Sequence, residues 1–106
     1  MRYAKLMPLV FFLVFSSSFG QEELIPSESP DKGFVPDEET AINIAKAVWF
    51  PIYGEKTIRR ERPYKAVLNG EVWQVRGSLP KDHKGGVAVA EIAKKTGCIL
   101  RVYHGK

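Results

Sequence analysis

Apolar residues at helical spacing predict one helix between residues 37 and 54. Asp37 has a side chain that caps helices, and Glu38 and Glu39 suit the positive end of the helix dipole. Pro51 is expected to kink or end the helix because proline lacks an amide hydrogen, and Gly54 offers a left-handed stop. The apolar face recurs every three or four residues: Ala41, Ile44, Ala45, Val48 and Ile52, with Trp49 beside them and Ile42 and Ala47 widening it.

Strand patterns follow the helix. Asn69 and Gly70 form the strongest two-residue hairpin signal in the chain, and Trp73 and Val75 are the inward residues of the strand after it. A later turn ends at Gly97, where a positive φ angle is easiest for glycine. Four segments have the composition of strands: 64–68, 72–78, 87–93 and 98–104.

These elements predict an α+β fold of two layers, with one N-terminal helix packed on a curved antiparallel sheet of about four strands in the order α-β-β-β-β. Small residues at Ala88 and Ala90 leave room for the helix or for Trp73 to lie close. The charged segment 54–63 is predicted to be a solvated loop, and the alternative is that its run of Arg59 to Arg62 contacts a partner.

The N-terminal residues predict export. Residues 1–20 combine Arg2 and Lys5 with the apolar segment 6–15 and small residues near residue 20, which is typical of a cleaved secretory signal. A retained membrane anchor is the alternative, although a spanning helix needs about 20 apolar residues. Residues 21–33 are predicted to be a disordered leader, and residues 34–106 the folded domain. The expected location is periplasmic or secreted.

Charge and cysteine content narrow the function further. The full chain of 106 residues has a net charge of +4, but residues 41–106 hold thirteen Lys or Arg and five Asp or Glu. Export argues against nucleic acid as the partner of this basic domain, and solvated side chains that maintain solubility are the simplest explanation of the charge. Cys98 is the single cysteine, so no internal disulfide forms. We expect Cys98 to be a small buried residue, with an intermolecular disulfide as the alternative.

The sequence predicts no catalytic, cofactor-binding or metal site. His83 and His104 are the two histidines, and neither Cys98 nor Glu91 stands at a recognised spacing that would complete a metal site with them. Asp82 beside His83 does not define a catalytic triad. We therefore expect a protein that binds another protein and is not an enzyme.

Exposed polar residues indicate where a protein partner would bind. One group lies on alternating strand positions that point away from the predicted helix, and the other lies in the polar loop after the second strand. The predicted partner-binding residues are Gln74, Arg76, Glu91 and Arg101 on the sheet, and Lys81, Asp82, His83 and Lys84 in the loop.

Three segments of the domain resemble a known family. They are AKAVWFPIYGE (45–55), RPYKAVLNGEVWQVRGSLP (62–80) and GGVAVAEIAKKTGCILRVYHGK (85–106). Together they resemble the immunity proteins with a nuclear-transport-factor-2-like fold that accompany bacterial polymorphic toxins. The resemblance implies a cystatin-like or nuclear-transport-factor-2-like sheet, although the parent fold has more helices and a deep conical pocket.

The resemblance implies that the chain binds a cognate toxin and blocks it without catalysis. The basic domain then favours an acidic patch on the toxin and argues against mimicry of DNA, which requires an acidic surface. Single pieces of the pattern are also similar to exported domains of the PepSY type, so an exported inhibitory or binding module acting on a secreted hydrolase is the alternative. A small-ligand or isomerase-like enzyme of the same superfold is the third.

Overall fold

The computed structural model describes residues 28–105, which form two helices and four strands. Helix α1 spans Glu38–Tyr53 and helix α2 spans Glu55–Arg59. The predicted signal segment 1–20 and residues 21–27 of the predicted leader lie outside the described residues. The strands are β1 (Lys65–Asn69), β2 (Val72–Arg76), β3 (Val87–Ala93) and β4 (Ile99–Gly105).

Both ends of α1 are capped as the sequence predicts. The Asp37 carboxylate accepts a hydrogen bond from the Thr40 amide at 2.8 Å, and hydrogen bonds from Thr40 lower the pKa of Asp37 below its ordinary value. Gly54 has a φ angle of 94° and donates its amide to the Phe50 carbonyl at 2.9 Å. Pro51 does not end the helix, which continues to Tyr53; the positive φ at Gly54 ends it.

The prediction of a loop over residues 54–63 is wrong in its first half. Glu55–Arg59 forms the short helix α2, and Ile58 within it is fully buried. One apolar residue among charged neighbours gives no periodic signal, so the sequence pattern could not indicate this turn of helix. Burial of Ile58 against the core stabilises it instead.

The four strands form one antiparallel meander in the order β1-β2-β3-β4, which confirms the predicted fold class. Trp73 pairs with Leu68 on one side and with Ile92 on the other, so the apolar positions of neighbouring strands share one face. The register between β3 and β4 shifts between Glu91 and Ile92. Such an irregularity bends the sheet locally.

The core lies between α1 and the first three strands. Trp49 is fully buried in α1, and its ring packs against Tyr64 with the ring centroids 5.7 Å apart. Small facing residues (Ala66, Ala88, Ala90) alternate with larger ones on the sheet, which suits close packing of the helix. The buried helix residues Ala41, Ala45 and Trp49 face a floor of Ala66, Trp73, Val75, Ala88, Ala90 and Ile92.

A short N-terminal segment attaches to the turn between β3 and β4. Phe34 and Val35 donate their amides to the carbonyls of Lys95 and Lys94 at 3.1 and 3.0 Å. The Trp73 indole donates to the Val35 carbonyl at 2.8 Å. Gly33 lies so close to the Lys94 carbonyl that a Cβ atom there would collide with it. The attachment therefore joins the chain before α1 to the sheet.

Three residues predicted to be buried are exposed, one of them Ala47 on the outer side of α1. Ile52 is 56% exposed because it lies in the last turn of α1, where the sheet does not cover it. Cys98 is also exposed, which makes the prediction of a buried cysteine wrong. It follows the turn after β3, where its amide bonds to the Thr96 hydroxyl at 3.1 Å and its side chain faces outward.

Removing either tryptophan should destabilise the domain severely. We expect Trp49→Ala and Trp73→Ala each to lower the free energy of unfolding by about 3–5 kcal/mol, because each leaves a large cavity under α1. Urea unfolding followed by circular dichroism measures the change. A variant that unfolds at the wild-type midpoint would contradict the core described above.

The milder substitution to phenylalanine separates packing from hydrogen bonding. The Trp73 indole has a partner in Val35, whereas the buried Trp49 indole nitrogen has none among residues 28–105. Trp73→Phe should therefore cost about 1 kcal/mol more than Trp49→Phe, since only the former removes a hydrogen bond. Equal losses in the same urea titration would show that the Trp73–Val35 bond contributes nothing.

Candidate partner-binding site

Three of the predicted partner-binding residues form a row across the sheet. Gln74 pairs in register with Glu91, and Glu91 with Arg101, on the face opposite α1. The Gln74 amide donates to the Glu91 carboxylate at 3.5 Å, and the Arg101 guanidinium lies 3.9 Å from that carboxylate. Arg101 also stacks over the Tyr103 ring, 4.5 Å from its centroid. The charges of this row therefore satisfy one another.

Arg76 lies on the same face, at the end of β2. It pairs in register with Lys65 on β1 and with Val89 on β3. Val89 is fully buried although it points away from α1. This part of the face has a buried apolar centre with cationic side chains beside it.

The four predicted loop residues lie apart from that row. Lys81, Asp82, His83 and Lys84 are all exposed in loop 79–86. The His83 amide donates to the Pro80 carbonyl at 3.1 Å, and the His83 ring nitrogen Nδ1 lies 2.9 Å from the Lys81 carbonyl. Asp82 adopts a φ angle of 63°, which aspartate tolerates better than most residues. The loop is thus a turn with internal hydrogen bonds, and it packs next to α2.

Glu61 connects α2 to the sheet, a role that the sequence did not indicate. It is only 5% exposed, and its carboxylate accepts a hydrogen bond from the Ala88 amide at 2.8 Å. The other carboxylate oxygen lies 2.9 Å from His104 Nε2, and the Glu61 carbonyl accepts from the Ser78 amide at 2.6 Å. Gly77 leaves the space that the Glu61 side chain needs. Glu61 therefore contacts β3, β4 and the loop after β2.

Two aromatic contacts complete this end of the core. The His104 ring packs against Tyr53 with centroids 5.2 Å apart. The Tyr64 hydroxyl donates to the Ile58 carbonyl at 2.8 Å, and burial raises the pKa of Tyr64 above its ordinary value because desolvation disfavours the phenolate. The first contact joins the end of α1 to β4, and the second holds α2 to the chain just before β1.

Burial of Ile58 and Glu61 leaves the residues between and after them exposed on the outside. Arg59, Arg60 and Arg62 are all exposed, and Arg59 forms an ion pair with Glu55. Arg60 and Arg62, together with Lys56, have no ion pair among the residues described. An open depression of about 600 Å³ is lined by Glu55, Lys56, Arg59, Arg60 and Arg62.

A second pocket joins α2 to loop 79–86. It has a volume of about 280 Å³, and Arg60 lines it as well as the larger depression. Its walls combine the cationic or imidazole side chains of Arg60, His83, Lys84 and His104 with the apolar Leu79 and Pro80, and with Thr57, Glu61 and Gly86. We call Lys56, Arg60, Arg62, His83 and Lys84 the basic end of the domain.

The structure brings only part of the predicted set together. The sheet residues Gln74, Glu91 and Arg101 form one group, and the loop residues join α2 in another. Contact of the run Arg59 to Arg62 with a partner was the alternative to the predicted solvated loop over 54–63. No local pattern indicated that Glu61 is buried, because the residues that its carboxylate contacts are distant in the sequence.

Residues 28–105 contain no group of three or more His, Cys, Asp or Glu side chains placed to hold a metal ion. Among the helices described, none has the length and apolar character needed to cross a membrane.

Comparison with known proteins identifies a family. The sequence model of a family described as NTF2 fold immunity protein matches residues 40–106, which include most of α1 and all later elements. No solved structure matches the chain.

Two curated proteins of Escherichia coli (strain K12) are similar to the chain. Uncharacterized protein YbbC is 38% identical over 76 residues, which cover 71% of this chain and 62% of YbbC. Uncharacterized protein YhhH is 32% identical over 76 residues, which cover 71% of this chain and 60% of YhhH. The chain therefore spans about three fifths of the length of these relatives.

The Glu61 contacts predict a large effect for a small substitution. Glu61→Ala leaves the buried Ala88 amide without its acceptor, so we expect it to lower the free energy of unfolding by about 1–3 kcal/mol. The matched control is Glu55→Ala, which removes an exposed ion pair within the nearby helix α2 and should cost about 0.5 kcal/mol or less. Urea unfolding of both variants checks the difference, and similar losses would contradict a structural role for Glu61.

Proposed function

The chain belongs to the NTF2 fold immunity protein family, and from this premise we propose that it is an exported protein that neutralises a cognate bacterial toxin by binding it directly. The observation that carries the proposal is the family match over residues 40–106, which covers the whole sheet and both candidate binding surfaces. Immunity proteins act by binding and generally not by catalysis.

The polar groups of the domain support binding as the mode of action. The Glu61 carboxylate contacts His104 and accepts a hydrogen bond from the β3 backbone at Ala88, so both side chains have structural contacts. Gln74, Glu91 and Arg101 likewise contact one another on the open face. What the domain offers to a partner is a rigid surface with a pronounced charge at one end.

Export is the second part of the proposal. Residues 1–20 have the charged start, apolar segment and small residues of a secretory signal. An exported immunity protein suits a toxin that acts in the cell envelope, as expected of a polymorphic toxin system in which neighbouring cells deliver toxins to one another. The positive charge of residues 41–106 suits an acidic surface on that toxin.

Co-expression with the toxin encoded by the neighbouring gene tests the proposal. Cells that make the full chain should survive when the toxin is directed to the periplasm, and the two purified proteins should elute together in size-exclusion chromatography. A form that lacks residues 1–20 should still bind the toxin in solution but should not protect, because it stays in the cytoplasm.

Unchanged killing together with the absence of a complex would overturn the proposal. A neighbouring gene for a secreted peptidase, with inhibition of that peptidase by the purified chain, would instead support the exported inhibitor. If the form without residues 1–20 also protected the cells, toxin neutralisation would stand, but export would not be required for it.

A further inference from the structure

We propose that the basic end is the surface that contacts the partner, and that it receives an acidic segment of a protein. That the partner is a toxin rests on the proposed function, whereas the location and the chemistry of the surface rest on the contacts described above. The surface combines residues of α2 with residues of loop 79–86, which are about twenty positions apart in the sequence.

The first argument is the imbalance of charge. Glu61, the acid in the arginine run, lines the smaller pocket but is only 5% exposed. Its two carboxylate oxygens contact the Ala88 amide and His104, so it forms no ion pair with the neighbouring arginines. Glu55 pairs with Arg59. Lys56, Arg60 and Arg62 therefore have no acidic side chain paired with them among the residues described. An acidic segment of a binding protein would supply the missing negative charge.

The second argument is the contrast with the open face of the sheet. There Glu91 lies between Gln74 and Arg101, and its carboxylate contacts both side chains, so these polar groups already have partners within the domain. A partner that displaced these contacts would gain little, because it would replace existing interactions. At the basic end, by contrast, an acidic group would form ion pairs that the domain does not already make.

The third argument is preorganisation. Glu61 connects the end of α2 to β3 and β4, and Tyr64 bonds to the Ile58 carbonyl. The loop on the other side of the pocket has its own internal hydrogen bond from His83 to Pro80. Because both walls are fixed before binding, little conformational entropy is lost when a partner segment enters.

The walls of the pocket favour a protein segment as the occupant. Leu79 is 44% exposed and lines the pocket with Pro80, next to Arg60 and Lys84. Apolar side chains beside arginine are typical of protein interfaces. A pocket of about 280 Å³ has room for a glutamate or aspartate side chain with its neighbours, the apolar part against Leu79 and the carboxylate at the cations.

The opposite end of the sheet provides a matched control. Lys32 and Lys95 are exposed at the turn after β3, whereas the pocket lies beside the start of β3. Because β3 runs from Val87 to Ala93, the two ends are about 20 Å apart at about 3.3 Å per residue. Replacing two cationic residues by glutamate changes the net charge by the same amount at either end. Comparing the two double variants therefore separates a local binding site from nonspecific electrostatic attraction.

The test uses fluorescein-labelled octaglutamate as the probe and fluorescence anisotropy as the measurement, with the full chain. Arg60→Glu combined with Lys84→Glu should weaken binding at least tenfold, and Lys32→Glu combined with Lys95→Glu should change it less than threefold. Equal weakening by both pairs, or no saturable binding by the wild type, would overturn the proposal. Tighter binding of an oligonucleotide of equal charge would overturn the assignment to a protein partner.

Circular dichroism shows whether both double variants are folded, as expected for exposed positions. Arg60→Gln with Lys84→Gln replaces the first pair if charge reversal unfolds it, with the same expectation of weakened binding. Protection against the neighbouring toxin is measured with the same proteins. Neutralisation retained fully by the pocket variant would overturn this surface but not the proposed function. A wild type that binds octaglutamate at the basic end, but no toxin, would overturn the proposed function and support the surface.

Discussion

The close approach of α1 to the sheet is the constraint on which the rest of the domain depends. Ala41 and Ala45 on the helix share one core with Ala88 and Ala90 on β3, and these small side chains leave room for the buried indole of Trp49. A helix of 16 residues then runs along the sheet for about 24 Å, at 1.5 Å per residue. Its C-terminal end brings Tyr53 to His104 and so determines where α2 can begin.

Local patterns in the sequence were sufficient for most of the fold. Helical spacing predicted α1, and Asn69-Gly70 predicted the first hairpin, because both signals reside in neighbouring residues. The alternation of side chains also placed Gln74 and Glu91 on one face, since successive residues of a strand point to opposite sides. The predicted fold class is correct for the same reason.

The sequence could not reveal what depends on distant partners. Glu61 reads as one more charged residue in a charged segment, and its burial follows from acceptors and donors supplied by Ala88 and His104, which are 27 and 43 residues away. The same holds for the pocket between loop 79–86 and α2, because it forms from residues that are far apart in the sequence. Cys98 was predicted to be buried because a free cysteine usually behaves as a small apolar residue. Instead, the turn before β4 directs its side chain to solvent.

The N-terminal attachment has a consequence for the orientation of the domain. Phe34 and Val35 hold the incoming chain at the turn between β3 and β4, and α1 then leads from there to the basic end. The described chain therefore enters the folded unit at the end of the sheet opposite the basic end. Immobilised from that direction, on a membrane or on a sensor chip, the domain would present its cationic tip to the surrounding medium.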